Sequence, residues 1–103
     1  MMKFTARIPV VIFFDEIEHP GYRALEPVSR ALLTELRALD SPFTGRLVTL
    51  SIRDASRRLN VTQRPVERAF MQLREHGWIE QVQHGSAQRR YYLLKSPIRV
   101  PHG

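Results

Sequence analysis

The sequence predicts a single α+β domain with a three-helix core, a C-terminal β-hairpin and an additional N-terminal strand. Three observations predict it. Between Pro27 and His76 apolar residues recur three and four positions apart in separate blocks, the spacing of one helix face. Past Gly77 the pattern changes to strand-forming residues with polar ones interleaved. The chain has 103 residues, 43% of them hydrophobic, which is enough for one small compact core and no second domain.

From the N-terminus, Val10-Val11-Ile12-Phe13-Phe14 is a β-prone apolar run and reads as a strand, with Asp15-Glu16-Ile17-Glu18 beside it as a solvated acidic turn. Five consecutive apolar residues are a liability unless covered by the rest of the domain or by a second copy. Both coverings stay open, and in the second Val10, Ile12 and Phe14 are the dimer contacts. Residues 1–21 thus make a strand and lead-in. Pro27 then starts a helix whose apolar face is Val28, Ala31, Leu32, Leu36 and Leu39, and Asp40-Ser41-Pro42 ends it. Residues 46–50 read as a short strand able to pair with the later hairpin as its third member.

Residues 51–78 read as two short helices joined by a tight turn. The first buries Ile52, Ala55 and Leu59, with Ser51 as its cap and Asp54 in the acidic position of a capping box. Asn60 sits where the turn needs a left-handed backbone. The second helix, residues 62–76, has Thr62 as its cap, Pro65 in its first turn and His76-Gly77 as its stop. Its stripe is Val66, Ala69, Phe70 and Leu73; Gln63, Arg64, Glu67, Arg68 and Met71 take the other side. Residues 78–83 and 89–94 form the hairpin strands about a turn at 84–88. Trp78 is core rather than ligand-stacking, and Tyr91 and Tyr92 alternate so that one faces inward. Residues 95–103, with Pro97 and Pro101 and no period, form a flexible tail or lie along the surface.

Residues 22–94 resemble the winged helix-turn-helix domains of bacterial, phage and plasmid DNA-binding proteins, particularly the small regulatory and replication-associated ones. The resemblance is carried by Tyr22-Arg23-Ala24-Leu25 with the Pro27 helix start, and by Phe43-Thr44-Gly45-Arg46-Leu47 turning into a strand. It is carried further by Asn60-Val61-Thr62 with Val66, Ala69, Phe70 and Leu73, and by the Gly77-Trp78-Ile79 exit. It implies a winged helix whose second helix enters DNA, although the fold also serves protein–protein contacts.

Charge agrees with the motif. Residues 1–50 carry six basic and six acidic side chains, net zero, whereas residues 51–95 carry nine basic and four acidic, net +5; Arg99 completes the total of +6. Eight of those nine are arginine, whose planar fork matches phosphate and the guanine edge better than the point charge of lysine. The expectation is a non-enzymatic, sequence-selective binder of double-stranded DNA, a transcriptional regulator or a plasmid or phage replication factor. Gln63, Arg64, Glu67 and Arg68 are the base-contact candidates. Arg53, Arg57, Arg58, Thr62, Arg89 and Arg90 are the backbone-contact candidates. The rival is a winged-helix protein-interaction module, an adaptor or inhibitor of a nucleic-acid machine.

Other classes are disfavoured. The chain has no cysteine, which excludes disulfides and thiolate sites and fits a reducing cytoplasm. His19, His76, His84 and His102 lack the paired spacing of a zinc site, so neither a metal nor a cofactor is expected. No phosphate loop, nucleophile elbow or paired-carboxylate signature occurs, and no apolar run approaches the roughly 20 residues that span a bilayer.

Overall fold

A computed structural model describes residues 8–40, 45–83 and 90–98. Its architecture is mixed α+β: five helices and one three-stranded antiparallel sheet, an arrangement compatible with a winged helix. In chain order the elements are α1 (Phe14–Glu18), α2 (Pro20–Arg23), α3 (Pro27–Ala38), β1 (Leu47–Thr49), α4 (Ile52–Leu59), α5 (Gln63–Glu75), β2 (Ile79–Val82) and β3 (Tyr91–Leu94). The sheet order is β1-β3-β2, with Val48 opposite Tyr92 and Ile79 opposite Leu94, so β1 joins the hairpin as its third strand. The hairpin turn at 84–88 and Arg89 lie outside the described residues.

The N-terminal strand is not there. Residues 8–13 have no regular secondary structure, and Phe14 opens a helix instead of closing a strand. A β-prone run becomes a strand only with a partner, and among the described residues no strand pairs with it. What organises the segment is an acid. Glu16 is 3% exposed rather than solvated; its carboxylate accepts the Phe13 N–H at 3.0 Å, which starts α1. The same carboxylate takes both Arg37 Nη atoms, at 2.7 and 2.6 Å, and the Ser96 hydroxyl at 2.8 Å. Burial alone would raise the Glu16 pKa. The Arg37 hydrogen bonds, with the Phe13 N–H and Ser96 hydroxyl, outweigh it and hold the carboxyl at about 2 against an ordinary 4.5.

Helix α3 has Pro27 in its first turn, where the missing N–H loses no intrahelical bond. Its buried face is Ser29, Leu32, Leu33 and Leu36, an i, i+3, i+4, i+7 set, with Val28 and Leu39 at its margins. Ala31, expected in the core, is exposed. The face is rotated because Ser29 lies inside it: its hydroxyl donates to Gln72 Oε1 of α5 at 2.6 Å, which removes the cost of burying a polar group.

In α4, Ser51 Oγ accepts the Asp54 N–H at 3.0 Å, while the Asp54 carboxylate pairs with Arg57 and leaves the capping box open. Asn60 ends α4 at φ 56°, ψ 46°, the left-handed conformation the turn requires. Thr62 occupies the N-cap of α5 without a side-chain cap bond, and Gly77 follows the helix at φ 82°. Val66, Ala69, Phe70 and Leu73 are all buried. They meet a core centred on Trp78, fully buried, whose Nε1 donates to the Gly21 carbonyl at 3.2 Å and whose ring meets Tyr22 edge-on at 5.9 Å. Tyr92 is the inward member of its pair and stacks on Phe70 at 4.9 Å.

Residues 95–98 lie against the body. The Lys95 N–H donates to the Trp78 carbonyl at 2.9 Å, and Ser96 holds Glu16. The remainder of the expected tail, 99–103, lies outside the described residues. Among the described residues no helix is long and apolar enough to cross a membrane.

Candidate nucleic-acid interface

The buried stripe of α5 fixes what its other side presents. Gln63, Arg64, Glu67, Arg68, Met71 and Arg74 are all exposed. A groove runs along this side between α5 and Arg90, the residue just before β3. Arg64, Arg68, Arg74 and Arg90 line it, Glu67 is its one acid, and Phe70 and Tyr92 lie beneath. Four guanidinium groups therefore border one open groove. Three of them come from α5, where Arg64, Glu67, Arg68, Met71 and Arg74 recur at three and four residues and stay on one side of the helix; Arg90 comes from the residue before β3.

The four differ in how they are held. Arg68 donates from Nε to Glu26 at 2.9 Å, a half-exposed pair that leaves the two Nη groups unused. Glu26 is itself anchored, because its backbone N–H donates to Gln72 Oε1 at 3.1 Å. Arg74 donates to Gln81 Oε1 of β2 at 2.8 Å. The side chains of Arg64 and Arg90 have no partner among the described residues.

The expected backbone-contact residues do not all converge there. Arg53, Arg57 and Arg58 are exposed on α4 but none lines the groove; Arg57 pairs with Asp54 at 3.1 Å and Arg58 with Glu35 at 3.3 Å. A second hollow, lined by Thr49, Ser51, Asp54 and Arg90, adjoins α4 and shares Arg90 with the groove. Thr62 is exposed at the start of α5, its hydroxyl unused by the helix. Gln63 stands on the first turn, outside the groove lining. Arg89 and His84 lie outside the described residues.

Two participants escaped the sequence reading. Arg74 had a signal, its place on the stripe of Arg64. Glu26 had none, because 42 residues separate it from Arg68 and only the packing of α3 on α5 brings them together. Among the described residues no group of His, Asp or Glu could hold a metal ion.

Comparison of the chain with protein-family models, with curated proteins and with solved structures finds no match in any of the three. Residue roles accordingly follow from geometry and chemistry alone.

Proposed function

We propose that the chain is a winged helix-turn-helix protein that binds double-stranded DNA selectively, with α5 in the major groove and the β2–β3 hairpin as the wing on the backbone. The observation that carries this reading is the groove bordered by Arg64, Arg68, Arg74 and Arg90 with Glu67 as its one acid. A major groove about 12 Å wide admits one helix, and α5 at 13 residues offers about 20 Å of length to it. Arg64 and Arg68 suit the paired acceptors of guanine, Gln63 suits adenine, and Glu67 accepts from the cytosine amino group. With Nε already bound to Glu26, Arg68 reads through its Nη pair.

Arg53, Arg57, Arg58 and Arg90, with the Thr62 hydroxyl beside the α5 N-terminus and Arg89, serve phosphates and fix register rather than sequence. Such a protein acts as a transcriptional regulator or a replication factor, and nothing in this chemistry requires catalysis or a cofactor.

The test is selection of bound sequences from random duplex DNA, followed by affinity for the selected site at several salt concentrations. With about six phosphates neutralised, log affinity falls against log salt with a slope near −5. A slope shallower than about −2 removes the arginine face as a DNA surface and favours the protein-interaction reading.

A further inference from the structure

Seven large hydrophobic side chains are exposed among the described residues, and six of them fall within one ten-residue stretch: Ile8, Val10, Val11, Phe13, Phe14 and Ile17. The seventh, Met71, stands alone. Apolar side chains scattered singly are ordinary on a soluble surface, whereas a contiguous run marks a contact surface. Ile8 is 80% exposed, Phe14 79% and Phe13 63%. With a whole aromatic side chain at about 200 Å² and aliphatic ones somewhat less, the six present about 600 Å². That is the upper limit of the largest patch on an ordinary monomer and approaches the roughly 800 Å² that each partner gives to a standard interface.

The surface is preformed. Arg37 Nη1 donates to the Val11 carbonyl at 3.0 Å while gripping Glu16, and Glu16 holds the Phe13 N–H, so the stretch is riveted to a buried ion pair at two points. Folding of one chain has already met the cost of ordering it. A cleft adjoins it, lined by Ile8, Val10, Val11 and Phe13 of the stretch together with Ala38 and Ile98. Phe13 and Asp15 line the cleft, while Phe14 between them stands outside it.

We infer that this surface joins two copies of the chain about a two-fold axis. A two-fold interface uses one patch twice, so the patch must carry both a projection and a recess; Phe14 is the projection and the adjoining cleft is the recess. Charge selects a second copy over another kind of partner. The cleft carries both signs, Asp15, Glu16 and Asp40 with Arg37 and Arg46, and residues 1–50 are net zero, so two copies meet here without strong mutual repulsion. A strongly acidic partner is drawn to the arginine groove instead. No residue of α4 or α5 lines the cleft, so pairing leaves both arginine grooves open.

The test needs no DNA and stands or falls apart from the DNA reading. Sedimentation velocity of the full chain, from low micromolar to near-millimolar concentration, is expected to show monomer passing to dimer. Phe13→Glu with Phe14→Glu is expected to stay monomeric throughout, with the fluorescence of buried Trp78 unchanged to show that the fold is intact. Should that pair of changes disturb α1, Ile8→Asp lies before the first helix and is expected to weaken dimerisation at least tenfold on its own. A wild-type chain that remains monomeric over the whole range overturns the inference. So does a dimer that forms equally well in folded Phe13→Glu/Phe14→Glu or Ile8→Asp protein, since another face then makes it.

Discussion

Residues 8–40 and residues 51–95 differ in how fully they engage their arginines. In the first region every arginine is engaged within the chain: Arg37 with Glu16, Arg23 with Glu18, and Arg30 with the Arg23 carbonyl and the Tyr22 ring. In the second, Arg53, Arg64 and Arg90 point their guanidinium groups at no partner among the described residues, and Arg68 is held by one nitrogen only. The apolar surface divides the other way, with six of seven exposed large hydrophobics in the first region. The difference teaches that the stretch whose charges are compensated also carries most of the exposed apolar surface, while the surplus of positive charge lies in the other.

The largest effect lies in the compensated region. Arg37→Ala leaves a buried carboxylate unpaired and is expected to cost about 3 to 5 kcal/mol in urea unfolding, whereas Arg37→Met with Glu16→Leu together should recover most of it. If the single change costs under about 1 kcal/mol, the two regions are not distinguished by burial of their charges. Acid comes next. Because folding depresses the Glu16 pKa, its contribution is fully present above pH 4.5 and is lost as pH falls towards 2. That loss amounts to about 3 kcal/mol. Unfolding free energy measured across that window should decline in wild type and run flatter in Glu16→Gln.

In the surplus region stability should barely respond. Arg64→Ala is expected to move unfolding by less than about 0.5 kcal/mol while relaxing preference at one base position by about 1 to 3 kcal/mol, read from a panel of single-base variants. Unchanged preference in folded Arg64→Ala and Arg68→Ala proteins would mean that α5 does not read bases. The smallest effect sharpens the contrast most. Glu26→Gln removes a half-exposed pair at a stability cost below about 1 kcal/mol and removes a repelled negative charge. Overall DNA affinity should rise slightly while discrimination at the base opposite Arg68 falls, because the guanidinium loses its anchor.

The parts legible in the sequence were those set by local rules. Ser51 and Pro27 are read from helix-start chemistry, Asn60 and Gly77 from the left-handed backbone, and Val66, Ala69, Phe70 and Leu73 from period. All sit as expected. Two of the failures share one cause, a distant polar partner. Glu16 reads as solvated until Arg37 and Ser96 close on it from 21 and 80 residues away. The predicted face of α3 slips because Ser29, absent from that face, is held in the core by Gln72 from 43 residues away. The run at 10–14 has strand propensity, but propensity does not supply the neighbouring strand.

The sheet order has a consequence for how the protein is made. Among the described residues β3, last in sequence, lies between β1 and β2, and neither of those has any other strand partner. On the ribosome a nascent chain that has emerged as far as Gln83 therefore carries both outer strands with nothing between them. No rung of the sheet ladder forms, and Phe70 has no Tyr92 to stack on, until residues 91–94 leave the exit tunnel. Premature termination anywhere before Tyr91 yields a product with helices and no sheet, its Val48 and Ile79 uncovered. Proteolysis would clear such a fragment well before it reached a functional pool.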